Sequence, residues 1–395
     1  MKRRTFVGTG LAGTLLATGA NALRSDMMNP ASISAEFKTP LCDQLSIRYP
    51  IIQAGMANAA GIELAAAVSN AGGLGIITAP MVPPETITER IREMRRRTSK
   101  PFGVNLILHR DLYPPADFDI DATTVQSVQE ALNGFRRELG IPESHATPGK
   151  LPPLIQAAYE VIVRERVPVF SIGLGNPSAA MVAECHHNGI QVMAMVSSLE
   201  DALAVHANRV DVIVAQGSEA GGHRSTWEKK PSAGHAAVGT LPLTAAVVSA
   251  VDVPVVAAGG IVNGRGVKAV LALGAQGVLM GTRFLATRES MVSQGYKQAI
   301  LERSSDDTVI TDVYTGMYAR VLRNTFTEKY DQSGAPVLPP GRQYAATVDV
   351  VNAADAMDRP DYGALYCGQG IDEISGILSA AEVVEEIVRE VTAPD

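Results

Sequence analysis

Eight short apolar runs, each leading into a stretch with helical periodicity, recur between residues 45 and 281. This rhythm constrains the fold more than anything else in the chain. The runs span 49–54, 74–78, 102–106, 167–172, 191–196, 210–214, 253–258 and 277–280, and helices are expected at 62–70, 85–97, 177–188, 199–207 and 264–273. Strands that are apolar almost without interruption are buried on both faces, as parallel strands are when helices cover them. Eight strand–helix units predict an α/β fold, a closed (β/α)8 TIM barrel. An open doubly wound sheet is the alternative if a strand is miscounted. Residues 110–150 interrupt the rhythm with prolines, acids and a short helical patch. Beyond 304 it fades into loops rich in Pro, Gly and Tyr, and a last helix is expected at 380–390. The organisation read from this is a barrel over 41–303, a smaller accessory or cap region over 304–373, and a C-terminal segment, 374–395, packing on the barrel.

The first 22 residues stand apart. Arg3 and Arg4 precede an uncharged stretch diluted by four glycines, which closes on Ala20-Asn21-Ala22, a small-residue cleavage pattern. This reads as a twin-arginine signal peptide over 1–22, so the expected location is the periplasm. Its glycines and threonines make it too polar for stable membrane insertion. An ordinary secretory signal and an uncleaved leader are the competing readings. Net charge is −7, and removing 1–22 takes away three cations and no acid. That balance argues against nucleic acid or an anionic membrane as partner. The three cysteines, Cys42, Cys185 and Cys367, are far apart and form neither a disulfide framework nor a metal cluster, so no metal is expected.

In a barrel, chemistry sits at the carboxyl ends of the strands, and the unusual residues collect there. The first strand runs into Gly55-Met56, the third reaches Asn105, and the sixth ends at Gln216 and continues through Gly221-Gly222 to His223. The seventh is followed by Gly259-Gly260, and the eighth, ending in Leu279-Met280, by Gly281-Thr282. Glycines after the last two strands suit a phosphate held by bare backbone N–H groups. Gln216 offers a donor and an acceptor to a ring edge of mixed polarity, and His223 can move a proton near neutrality. No strand end carries a nucleophilic Cys, a Lys or a ligand cluster, which disfavours Schiff-base, thiohemiacetal and metal chemistry. Gly173-Leu174-Gly175 lacks the third glycine of a dinucleotide fingerprint and reads as a strand-to-helix turn with Pro177 opening the helix. Cys185-His186-His187 reads as one buried thiol and a solvated pair.

Together these residues resemble the nitronate monooxygenase family. The motifs that carry the resemblance are Gln53-Ala54-Gly55-Met56, Gly72-Gly73-Leu74-Gly75, Asn105, Gln216 to His223, Ala258-Gly259-Gly260-Ile261 and Met280-Gly281-Thr282-Arg283-Phe284. It runs from about Leu41 to Leu301, and more loosely through Leu365 to Gly370 and on to the C-terminus. The resemblance implies a barrel with an accessory region, bound FMN, and oxidative denitrification of alkyl nitronates and nitroalkanes with O2. It implies that Gly259, Gly260 and Leu279 to Thr282 hold the FMN phosphate. Asn105, Gln216, Gly221 and Gly222 would contact the flavin, Gly55 and Met56 would line its ring, and His223 would be catalytic. One departure is Ser225-Thr226 where the family pattern leads to expect glycine, which bears on substrate access. Two rival functions stay open: an NAD(P)H-dependent flavin reductase acting on quinones or enoyl thioesters, and an exported FMN-binding protein without turnover.

Overall fold

The computed structural model describes residues 37–79, 81–109, 120–225 and 238–394. The signal-peptide reading of 1–22 lies outside the described residues. The strands are β1 Ile51–Gln53, β2 Gly75–Thr78, β3 Phe102–Ile107, β4 Val169–Leu174, β5 Gln191–Val196, β6 Val212–Gln216, β7 Gly222–His223, β8 Val255–Ala258, β9 Gly277–Met280, β10 Thr308–Thr311 and β11 Ala319–Leu322. The seventh and eighth runs of the sequence are thus β8 and β9. Eight parallel strands follow one another in the order β1-β9-β8-β6-β5-β4-β3-β2. The ends meet where Ile52 bridges Leu74 in parallel, with Leu74 N–H donating to Ile51 O and Gln53 N–H to Leu74 O, both at 2.9 Å. The sheet closes into a (β/α)8 barrel, and the open-sheet alternative falls.

β1 is only three residues long, so its seam with β2 needs more than the ladder. The Gln53 side chain supplies it: its Oε1 accepts Ile76 N–H at 3.0 Å and its Nε2 donates to Ile76 O at 3.3 Å. Alternate residues fill the barrel, among them Ile52, Ile76, Val169, Met193, Val214 and Leu279, in one buried cluster. Leu41 and Leu45, on the helix Pro40–Leu45, join it at the amino-terminal end and plug the floor. The outward residues meet the surrounding helices. A Cβ at Gly75 would fall on the Ala65 carbonyl, so the helix Ile62–Asn70 lies too close to β2 for any side chain there. The last helix, Ala380–Thr392, lays Val383, Val384, Ile387 and Val391 against the helix Gly264–Ala272 and Leu64. The turn after β4 is a strand-to-helix turn, but Ser178, not Pro177, starts the helix: its hydroxyl accepts the Met181 N–H, leaving Pro177 one residue outside.

Two expectations need correction. The short helical patch in 110–150 is an 18-residue helix, Ala122–Leu139, capped by the Asp121 carboxylate and ended by Gly140 in the left-handed region. Its apolar positions 125, 128, 132, 135 and 139 recur at helical spacing, but the polar face between them dilutes the signal. The tract after 304 is not simply loop: it holds β10, β11 and the helices Thr325–Ser333 and Arg342–Ala356. These elements bury their apolar faces together with Ala122–Leu139. The Phe135 and Tyr314 rings lie 4.5 and 4.7 Å from that of Phe326. Arg136 is buried in this cluster. It bonds Asp349 Oδ2, Gln129 Oε1 and Asn133 Oδ1, each at 2.8 Å, and Ala346 O at 2.9 Å. Arg136→Met should cost about 3 kcal/mol, because several buried acceptors lose a charged donor at once. The urea unfolding midpoint measures this, and an unshifted midpoint would show that the network adds nothing.

Candidate active site

At the carboxyl end of the barrel the strand termini line one cavity of about 660 Å³. Gly55, Met56, Asn105, Gln216, Gly221, Gly222, His223, Gly259, Gly260, Leu279, Met280, Gly281 and Thr282 all border it. They do so in different ways. Leu279 belongs to the barrel interior, whereas the Met280 side chain is packed outward among the helices, leaving mainly its backbone for the cavity. Asn105 donates from Nδ2 to Ser171 Oγ at 3.2 Å. A Cβ at Gly55 would come within 2.7 Å of Asn105 Cβ, so this glycine makes room for the amide.

Gln216 is engaged at both ends. Its Nε2 donates to His223 O at 2.9 Å and its Oε1 accepts Ser225 N–H at 2.8 Å. Only one N–H and one lone pair remain for a ligand, so much of its role is to clip the following segment onto β6. That segment contains β7, which pairs antiparallel with β11, Gly222 opposite Arg320 and His223 opposite Ala319. The barrel loop carrying His223 is thereby sewn into the accessory sheet β10-β11-β7. Ser225, where glycine was anticipated, is wholly buried, and its hydroxyl donates to Met195 O at 2.7 Å. It anchors the segment instead of obstructing the cavity; Thr226 lies outside the described residues.

The imidazole of His223 opens onto the cavity yet sits far beneath the outer surface. Its Nε2 is 2.9 Å from Thr315 Oγ1, and its ring centroid is 5.3 Å from that of Tyr366. Burial, with a smaller contribution from His109, pushes its pKa down to about 4. At neutral pH the ring is therefore uncharged and has a lone pair to accept a proton.

The far wall was less legible. Gly368 N–H donates to Thr282 Oγ1 and Gln369 N–H to Glu219 O, both at 2.9 Å, bringing 368–370 over the β8 and β9 ends. A Cβ at Gly221 would lie 2.5 Å from the Cys367 carbonyl carbon and the Gly368 nitrogen. Gly221 is thus required by this packing as well as by any ligand. Gly259 and Gly260 take φ values of +114° and +70°, and among the described residues the Gly260 N–H finds no backbone acceptor. Glu219, close by, spends its carboxylate on Thr240, bonding its N–H at 2.8 Å and its hydroxyl at 2.9 Å. Thr315, Tyr366, Gly368 and Gly370 were not singled out as site residues; the looser likeness through 365–370 was the one available signal. Of the decoys, Cys185 is fully buried and His186 bonds Asp211 at 2.9 Å.

The nitronate monooxygenase family profile matches residues 38–390. A probable nitronate monooxygenase of Staphylococcus haemolyticus is 34% identical over 84% of this chain and 91% of its own. One from Staphylococcus saprophyticus is 33% identical over 90% and 98%. Among solved structures, nitroalkane oxidase from Streptomyces ansochromogenes superposes with a TM-score of 0.80 at 33% identity, covering 89% of this chain and 97% of its own. FabK from Thermotoga maritima superposes at 0.71, also at 33% identity, over 90% and 96%. A match of this extent, on a barrel whose strand ends carry the glycines, amides and histidine described above, shows that the chain is an oxidoreductase of the nitronate monooxygenase family.

Proposed function

We propose that the protein binds FMN and uses O2 to denitrify nitroalkanes and alkyl nitronates. The observation that carries this is His223, neutral and held by Thr315 and β11, facing a cavity floored by Asn105 and walled by glycines. The residues fit a flavin nucleotide. Gly259, Gly260 and Gly281, where side chains are missing, would hold the phosphate together with Thr282. Gly55, Met56, Asn105, Gln216, Gly221 and Gly222 would border the ring. FMN, when bound, supplies two-electron redox chemistry and reactivity toward O2. The protein's part is position and proton transfer. His223 takes the α-proton of a neutral nitroalkane onto its free ring nitrogen, and toward a preformed nitronate it orients the anion. In this role the Thr315 hydroxyl accepts Nε2–H, and the lone pair that takes the proton is on Nδ1.

Anaerobic mixing of the purified yellow protein with nitroethane tests this. Bleaching, followed by nitrite release when air is admitted, is the expected result. Bleaching by NADH but not by the nitro compound would favour the reductase reading, and bleaching by neither would favour a binding protein. The pH dependence is a second check. Since protonated His223 cannot accept a proton, kcat/KM for nitroethane should fall only as pH drops through about 4. A limb at the ordinary histidine value, about 6.5, would mean that the buried environment does not control this group.

Export by the twin-arginine route is part of the same reading, since that route carries proteins already folded around a cofactor. Replacing Arg3 and Arg4 by Lys should leave precursor in the cytoplasm, and mature periplasmic protein from that variant would refute the assignment. No helix of the described residues is long and apolar enough to cross a membrane.

A further inference from the structure

The accessory strand β11 positions more than β7. On the edge where Gly222 faces Arg320 and His223 faces Ala319, Tyr366 bridges the next residue, Val321, in antiparallel sense. The other edge of β11 is taken by β10. Two segments remote in sequence thus share one strand edge, with His223 and Tyr366 two ladder positions apart. Side chains so spaced point to the same face, and both residues border the cavity, their ring centroids 5.3 Å apart. Tyr366 is fixed further by its carbonyl, which accepts the Tyr296 hydroxyl at 2.7 Å. Its own hydroxyl donates to none of the described residues. Burial, with smaller contributions from Tyr344 and Asp355, pushes its pKa well above the ordinary tyrosine value, so near neutrality it holds a proton to donate.

Resting on the function proposed above, we infer that Tyr366 is a second catalytic residue, whose hydroxyl donates to a nitro oxygen of the substrate while His223 takes the α-proton. When the C–H bond breaks, the proton passes to His223 and the bonding pair forms C=N, so the negative charge comes to rest on the nitro oxygens. Those oxygens are weak acceptors in the neutral nitroalkane and full oxyanions in the nitronate, so the bond from Tyr366 strengthens as the proton departs. A base about 3 Å from the proton it takes and a donor about 3 Å from an oxygen two bonds away fit side chains whose rings stand 5.3 Å apart. The same bond receives a preformed nitronate, for among the described lining residues there is no lysine or arginine to do so. Other hydroxyls on the lining are spent: Thr347 donates to Tyr314 O at 2.7 Å, Tyr296 to Tyr366 O, and Thr315 is bonded to His223. Tyr366 combines an uncommitted donor with ring contact to His223.

Tyr366→Phe tests this, since it keeps the ring against His223 and the backbone bridge to Val321 and removes only the donor. Assayed as holoenzyme, the variant should keep its flavin and lose about 10²–10³-fold in kcat on nitroethane, the usual cost of removing one oxyanion donor, with KM little changed. On preformed ethyl nitronate, already charged when it binds, the loss should fall on KM, by about tenfold, while kcat holds. A merely structural role would lower kcat on both substrates together. That pattern, or a kcat on nitroethane within about threefold of native, overturns the proposal. If the native holoenzyme turns over neither compound, the broader functional reading has failed, and calorimetric titration with nitrate, a planar anion shaped like the nitronate head, decides this one separately. Binding weaker by about tenfold in Tyr366→Phe than in native protein supports it. Equal affinity, or no binding to either, overturns it.

Discussion

His223→Asn should lose activity on neutral nitroalkanes by about 10²–10⁴-fold, the usual worth of a positioned general base, while keeping its yellow colour. Asparagine preserves polarity and approximate size, and its backbone can still pair with Ala319 and receive Gln216 Nε2. What it lacks is a nitrogen basic enough to take the proton. Loss on preformed nitronates should be distinctly smaller, since those arrive without the proton. The comparison is made by steady-state kinetics on nitroethane and on its nitronate. Equal losses would make His223 an orienting group, and no loss on either would remove it from the chemistry. A stability effect accompanies this. The folded-state pKa of about 4 lies below the unfolded value, so the unfolded chain binds the extra proton between the two. The native protein should therefore lose stability as pH falls through that window, and the asparagine variant should lose less.

Gly260→Asp should yield colourless protein. Gly260 lies on the β8 loop at φ +70°, facing 368–370, and a Cβ there would come within 3.2 Å of Glu219 Cβ. A carboxylate at this point would oppose a phosphate anion at short range. Two like charges about 4 Å apart at an effective dielectric near 20 repel by about 4 kcal/mol, a loss of roughly a thousandfold in affinity. Flavin content of the purified variant measures this, with circular dichroism to show that the barrel has formed. Gly260→Asn is the control, matching aspartate in size and tolerance of the left-handed region while remaining uncharged. It should retain far more flavin. Full flavin occupancy in the aspartate variant would place the phosphate elsewhere.

The barrel itself was legible because its signal is local and repeated. Each strand is buried on two faces, so its apolar run marks it wherever its partners lie, and β5, β9 and the helix Ile62–Asn70 match their expected limits to the residue. The strand ends were legible for the same reason: Gly-Gly, Gly-Thr and a Gln that runs on to His223 are poor ways to continue a buried strand. Other features depended on pairings across long separations, which periodicity does not encode. The helix Ala122–Leu139 was understated because its apolar stripe acquires meaning only against Phe326 and Val350, some two hundred residues later.

The sequence by itself determined that eight parallel strands form, that their carboxyl ends are rich in glycine and amides, and that one histidine follows the sixth. Only the tertiary structure decided what surrounds that histidine. Thr315 and Tyr366 reach it from 92 and 143 positions away, and β11 pairs with its backbone. The depressed pKa of His223, the double engagement of Gln216 and the 368–370 segment over the strand ends all arise from these meetings. The physical reason is that burial is written residue by residue in side-chain chemistry, whereas desolvation and hydrogen-bond partnership at a site belong to the packed arrangement of elements remote in the chain.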